Sequence, residues 1–255
     1  IDKKILNNLK DYSVDVIELG IQSMDNEVLA LSRRGHNRAD VINASSLIKE
    51  YGFTLGHQIM LGLPGDTAEK DIATTLEVIS MKPDICRIYP ALVIKHTEME
   101  TMFLNGEYSP YSLDTAVDIS KTLFGMLTSH GINVIRIGLQ PTEEINFDRE
   151  IAAGPFHPAF RELVEGSIFC DMIEKSLTPE SNEIKIYINS RDISKLYTNK
   201  KQYFMNLKSK FENIMVIQND ELHRGNIIVE NSASVMKHSM FDYMVEKYYN
   251  ISKIC

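Results

Sequence analysis

An apolar run ends in Gly20-Ile21-Gln22-Ser23, and twelve residues past Gln22 comes Arg34, in Arg34-Gly35-His36. At a strand end, Gln22 offers a carboxamide and Ser23 a hydroxyl to a polar ligand. Gly20 would let a ligand or backbone come close. Glu18 lies on the same run. Arg34 can grip a carboxylate with two parallel hydrogen bonds, which Lys cannot imitate. A second apolar run, residues 53–61, carries Gln58 and leads into Gly62-Leu63-Pro64-Gly65-Asp66-Thr67. There a strand end meets a helix start, and the amides of such a junction can hold a polar ligand. Each motif also has a plainer reading, because Gly-Leu-Pro-Gly is a tight turn in its own right and most arginines are solvated. His157, inside Gly154-Pro155-Phe156-His157-Pro158, is a further candidate, an acid–base group because histidine titrates near neutrality.

The elements that must position these residues follow from periodicity. Residues 2–12 space Ile5, Leu6 and Leu9 as an amphipathic helix, and residues 14–21 form a short strand. Asp25 caps a helix over 27–32, the polar stretch 33–38 interrupts, and a helix resumes over 40–51 and ends at Gly52. Residues 53–61 are apolar almost throughout, the mark of a strand with helices over both faces. Helices from Thr67 and over 113–130 alternate with strands over 85–93 and 133–139. The alternation predicts a parallel sheet whose polar strand ends gather at one rim, as in α/β barrels. The stretch 94–112 is long for a loop and holds Lys95, Tyr108 and Tyr111. Residues 141–158 read as irregular, 160–177 as a helix and 178–182 as a linker. Beyond it come a strand over 184–188, helices over 192–197 and 204–211, strands over 214–218 and 226–230, and a helix over 234–249.

The chain has 255 residues, 44% hydrophobic and 24% charged, ordinary for a globular protein with a sizeable core. No apolar run approaches the roughly 18 residues of a membrane span, so no membrane is expected. Cys86, Cys170 and Cys255 show no metal-ligand spacing and predict buried free thiols, a reducing compartment and a cytoplasmic protein. The net charge of −8 is uneven: residues 1–182 hold 16 basic and 27 acidic groups, residues 183–255 hold 11 and 8. A mildly basic tail suits a polyanion, though solvated lysines on a small domain give the same count.

In this order the motifs resemble the radical S-adenosylmethionine (SAM) superfamily, and within it the Elongator catalytic subunit-like proteins of bacteria and archaea. The matching text is Glu18 to Ser23, Arg34-Gly35-His36, Gly62 to Thr67, and the run Arg87-Ile88-Tyr89-Pro90-Ala91-Leu92-Val93-Ile94-Lys95-His96-Thr97-Glu98-Met99, followed by Asn105-Gly106-Glu107-Tyr108. The resemblance implies an α/β fold: a partial (β/α) barrel, about the second half of six strands, over 1–140. A connecting loop and helix would follow over 141–180, and a small α+β domain over 183–255. It implies that Gln22 lies at the ribose and methionine end of SAM, that Arg34 pairs with the SAM carboxylate, and that Gln58 contacts the ribose. Glu18 and Ser23 would line the same strand, and Tyr89 and Lys95 would face substrate at the barrel mouth. No catalytic residue is fixed; Tyr89, Lys95 and His157 are the candidates.

The resemblance also implies a [4Fe–4S] cluster on a CxxxCxxC loop, which splits SAM to a 5′-deoxyadenosyl radical. This sequence lacks that loop and opens without an initiating Met. The expectation is therefore an incomplete polypeptide with no metal ligands of its own, inactive alone. The Elongator subunit's acetyltransferase-like domain finds too few residues after Ser181. Residues 183–255 instead resemble a degenerate KH module with Asn199-Lys200-Lys201-Gln202 in place of its GxxG loop, while a small docking domain that takes no nucleic acid fits the same order of elements. Three functions stand open: a radical SAM enzyme modifying RNA such as tRNA, with the tail placing it; a small-molecule enzyme like the oxygen-independent coproporphyrinogen oxidases; and a non-catalytic binding module.

Overall fold

Asp2 accepts a hydrogen bond from the Ile5 amide at 2.8 Å and so opens helix α1, Lys3–Asp11. Strand β1, Val16–Gln22, leads to α2, Asn26–Leu31, whose cap Asp25 accepts from the amides of Glu27 and Val28. Helix α3, Arg38–Glu50, begins inside the polar stretch, because Asn37 and Asp40 exchange side-chain bonds with each other's backbone in a capping box. Next come β2, Thr54–Leu61; α4, Ala68–Met81, capped by Thr67; and β3, Ile85–Pro90. Unit one continues through β4, Val93–Ile94; α5, Glu98–Leu104; α6, Leu113–Ser129; β5, Asn133–Ile137; and β6, Ile151–Ala153. The computed structural model describes residues 1–140, 149–178, 181, 183–211 and 213–250. Residues 141–148 of the irregular stretch, part of the expected linker, and Cys255 lie outside them.

The strands β1-β2-β3-β5 form one sheet, every neighbouring pair parallel. Successive strands lie side by side without a reversal of order, which is how a barrel winds and how a doubly wound sheet does not. The sheet and its helices are thus part of a (β/α) barrel. Leu55, His57, Ile59 and Leu61 of β2 are buried and alternate with Thr54, Gln58 and Met60, which are half-buried, and with the buried Gly56. Helices therefore cover one face, not the two that the apolar run suggested. Leu6 of α1 and Ile48 of α3 close over Phe53 and Leu55 there, with Ile17 and Leu19 against them.

Two departures have local causes. The third strand ends at Pro90 rather than 93: Ala91 donates its amide to Leu61 at 2.9 Å, and the chain then turns away. Val93–Ile94 pairs antiparallel with Ile151–Ala153 instead, a ribbon made within stretches expected to be strand end and irregular loop. The long loop 94–112 also holds α5, which Thr97 caps through the Glu100 amide.

The second compact unit begins at Arg161, within helix α7, Phe160–Lys175. It contains β7, Ile184–Ile188; α8, Ile193–Leu196; α9, Gln202–Lys210; β8, Ile214–Gln218; β9, Asn226–Glu230; β10, Val235–Ser239; and α10, Met240–Tyr248. Its sheet runs β10-β9-β7-β8, with β7 and β8 parallel and the other pairs antiparallel. The expected helix over 234–249 is half strand. Asn231 turns the chain through the Ala233 and Ser234 amides, residues 235–239 pair with β9, and Ser239 then caps α10. Asp192, fully buried, accepts from the Gly225 amide at 2.7 Å and pairs with Lys195, which also meets Glu165. Among the described residues no helix is long and apolar enough to cross a membrane.

Candidate functional site

The uncovered face of the parallel sheet is polar. Glu18 of β1 and Arg87 of β3 reach across β2 to each other, Nη2 donating to Oε1 at 2.9 Å and Nε to Oε2 at 2.5 Å. Gly56 lies between them, and a Cβ there would stand 2.6 Å from the Glu18 side chain. The bridge needs that glycine. Arg87 Nη1 also lies 3.4 Å from the Tyr89 hydroxyl, so Tyr89 faces the same side.

Toward the strand ends lies Gln22, 6% exposed, at a register shift after Gly20 and with φ of 64°. The shift puts an extra residue into β1 and turns the Gln22 side chain back over Gly20. A Cβ on Gly20 would meet Gln22 Nε2 at 2.6 Å. The space that the glycine leaves is therefore filled by the Gln22 amide, which holds Oε1 3.4 Å from Gln58 Nε2. The left-handed backbone at a glutamine costs on the order of 1–3 kcal/mol, strain of the kind found at binding sites.

Arg34 follows α2, its amide donating to Leu29 at 2.9 Å. Its guanidinium comes over the rim, Nη2 at 3.3 Å from Met60 Sδ. Met60 packs on Val28, Leu63 and Ala91. Among the described residues Arg34 has no carboxylate partner, so its fork remains for a ligand. Gln22, Gln58 and Arg34 are thus gathered at one end of β1 and β2, with Glu18 deeper on the same face.

Ser23 is placed elsewhere. It is 1% exposed, its Oγ lies 3.3 Å from Thr74 Oγ1, and it accepts from the Asp25 amide. The hydroxyl fastens β1 to α4. Lys95 sits where β4 meets β6, its amide donating to Glu150 at 2.7 Å, with no side-chain ion pair among the described residues. His157 accepts the Ala159 amide on Nδ1 at 3.1 Å, which leaves Nε2 to carry the proton of the neutral ring.

Arg87 and Met60 were not singled out from sequence. Alternation gives a signal for Arg87, because Ile85, Arg87 and Tyr89 share one strand face opposite buried Cys86 and Ile88. Its partner Glu18 is 69 positions away, and nothing local foretells that.

The donors present suit a ligand with a carboxylate and sugar hydroxyls: two primary amides and, on the same rim, a guanidinium with no carboxylate partner among the described residues. They do not suit a cluster. Among the described residues no three His, Cys, Asp or Glu are placed to hold a metal ion, and Cys86 and Cys170 are buried and unbridged.

Residues 1–79 match the family model described as Radical SAM superfamily, and residues 83–169 match the model described as Radical_SAM C-terminal domain. A curated relative, tRNA uridine(34) acetyltransferase of Methanocaldococcus infernus, is 36% identical over 120 residues, 46% of this chain and 22% of that protein. Elongator complex protein 3 of Dictyostelium discoideum is 32% identical over 117 residues, 45% of this chain and 21% of that protein. The matched stretch is therefore about a fifth of those relatives. Among solved structures, archaeal Methanocaldococcus infernus Elp3 with an N-terminal deletion aligns at TM-score 0.59 and 29% identity, covering 69% of this chain and 40% of that one.

Proposed function

We propose, from the premise that this chain belongs to the radical SAM superfamily through residues 1–79 and 83–169, that its open rim binds S-adenosylmethionine in the service of RNA modification. The observation that carries the reading is the convergence of Gln22, Gln58 and Arg34 on one rim of the parallel sheet. Arg34 takes the SAM carboxylate with its fork. The amides of Gln22 and Gln58 take the ribose hydroxyls and the methionine end. The hydrogen-abstracting radical chemistry of the superfamily would need one electron from an iron–sulfur cluster, for which the described residues provide no ligand set.

Tyr89 lies farther along the face, oriented by Arg87, and Lys95 is placed on the β4–β6 ribbon. In this reading they meet substrate. His157, committed to its turn through Nδ1, presents Nε2–H as a donor. An RNA substrate, tRNA above all, is supported by relatives named for tRNA uridine(34) and for Elongator. Residues 183–255 contribute polyanion affinity: Lys200 and Lys201 lie on a turn of three left-handed residues, and Lys201 and Lys208 sit over Tyr197 and Phe204. A degenerate KH-like role for that unit belongs to the same proposal, as does a cytoplasmic setting, which the unbridged Cys86 and Cys170 support.

Calorimetric titration of the full chain with SAM tests the site. Arg34→Ala removes a charged hydrogen bond and is expected to weaken binding by about 1.5–3 kcal/mol. Unchanged affinity removes Arg34 from the site.

A further inference from the structure

Under the rim, the turn Gly62-Leu63-Pro64-Gly65-Asp66 is held from below. Tyr108, 8% exposed, donates its hydroxyl to the Gly62 carbonyl at 2.6 Å. Gly62 has φ of 73°, and a Cβ on it would stand 2.6 Å from the Tyr111 ring. The Tyr111 hydroxyl in turn donates to Asp71 Oδ2 at 3.0 Å. Asp71 is 3% exposed and neighbours Asp66, whose Oδ1 accepts from the Thr67 amide at 3.0 Å. Asp66 Oδ2 is buried with no donor among the described residues.

On its other side the turn touches α2. A Cβ on Gly65 would run into the Leu31 side chain, and Leu31 ends the helix whose Leu29 carbonyl receives the Arg34 amide. Lys70 of α4 ties the same corner together, donating to the Gly65 carbonyl at 3.0 Å and to Glu27 of α2 at 3.1 Å.

We infer that Asp71, Asp66, Tyr108 and Tyr111 are positioning residues for the SAM rim, clamping the Gly62–Gly65 turn and, through Leu31, the segment that carries Arg34. This rests on the SAM reading above. Two buried neighbouring carboxylates cannot both ionise cheaply. As two anions they have no hydrogen to share, and Asp66 Oδ2 stays bare. One proton on Asp71 supplies the missing donor while Oδ2 of Asp71 keeps the Tyr111 bond. Burial, reinforced by the Asp66 charge, pushes the Asp71 carboxyl far above the usual range, in keeping with a proton held at neutral pH. Titratable groups on the elements around the pair include Tyr108 and Tyr111, Glu69, Lys70 and Glu77 of α4, and Asp25 and Glu27 at the start of α2. Both tyrosines are pushed up by burial and by the aspartates, so they stay neutral donors.

SAM affinity and amide hydrogen exchange are measured on the full chain for wild type, D71N, D71A, Y111F and R34A, from neutral pH to about pH 10. The amide of D71N replaces the shared proton with a permanent donor. Wild-type affinity is expected to fall about tenfold across that range while D71N stays level. Y111F is expected to weaken binding about three- to tenfold at neutral pH, the size of one lost hydrogen bond. D71A should speed exchange in both the Gly62–Asp66 turn and the Arg33–Arg34 segment, and D71N should restore the wild-type pattern. If D71A does not fold, D71N and Y111F still decide. A D71N profile that follows wild type, or a Y111F affinity equal to wild type, overturns the inference. Binding that R34A abolishes but D71A leaves intact overturns it alone; a wild-type chain that binds no SAM overturns the site reading and this inference together.

Discussion

Gln22 shows how one residue's role depends on its neighbour's lack of a side chain. The sequence predicted a glycine that admits a ligand; the structure fills the Gly20 space with the Gln22 amide, because the register shift reverses that side chain. Asp25 was legible as a cap, and Thr67 as a helix start, because capping is chemistry between residues two or three apart. The Gln22 turn depends on β2 lying alongside, and so was not. His57 of β2 is likewise invisible to local rules: it is fully buried, its Nε2 2.9 Å from Ser45 Oγ and its Nδ1 without a partner. Burial, with the Lys49 charge nearby, lowers its pKa to about 4. The folded pKa lies below the unfolded one of about 6.5, so the unfolded chain binds the extra proton. Stability from this group is complete above about pH 6.5 and is lost as the pH falls through about 4. Asp71, raised by burial, contributes with the opposite sign. Urea unfolding of wild type and H57Q at about pH 7 and pH 4.5 separates the two. The wild-type advantage over H57Q should shrink by about 2–3 kcal/mol at the lower pH; a constant difference would show that His57 is not buried neutral.

At the scale of elements, most boundaries fell close to where their own residues put them, the strands over 184–188, 214–218 and 226–230 to the residue, and the misses were elements made by distant pairing. Gly131 follows α6, and α1 lies within residues 2–12, as periodicity foretold. The strand β10 was read as helix because Val235-Met236-Lys237-His238-Ser239 has no strong period, and its ladder comes wholly from β9. The ribbon of β4 and β6 joins residues nearly sixty positions apart, a pairing no window of sequence contains. The Gly62 turn is the element on which the rim depends most. Gly62→Ala places a methyl group against the Tyr111 ring and demands φ of 73° from an L-residue. Denaturant unfolding should show a loss of about 1–3 kcal/mol, with SAM affinity falling too; a variant as stable as wild type would mean that Tyr111 does not press on the turn.

For the molecule as a whole, the two compact units, 1–160 and 161–255, divide the labour proposed for them. The first carries the polar rim, and within the second the stretch 183–255 carries a basic excess, 11 Lys and Arg against 8 Asp and Glu, which the acidic residues of 161–182 offset over the unit as a whole. The α/β alternation and the small α+β tail were legible because they rest on repeated local patterns. The polar open face was not, because it exists only once β1, β2 and β3 lie side by side. Binding of tRNA should weaken steeply with salt, and charge reversal of Lys200 and Lys201 should make the dependence shallower by about one to two counterions; a slope unchanged by both substitutions would take RNA away from the tail. The central claim, that Gln22, Gln58 and Arg34 form one SAM-binding rim, is met most directly by NMR of the side-chain amides and guanidinium during a SAM titration. The account predicts that the Gln22 and Gln58 carboxamide signals and the Arg34 Nε–H shift together with one saturation curve, while the buried His57–Ser45 pair stays still. Saturable binding that leaves Gln22, Gln58 and Arg34 unmoved would contradict it.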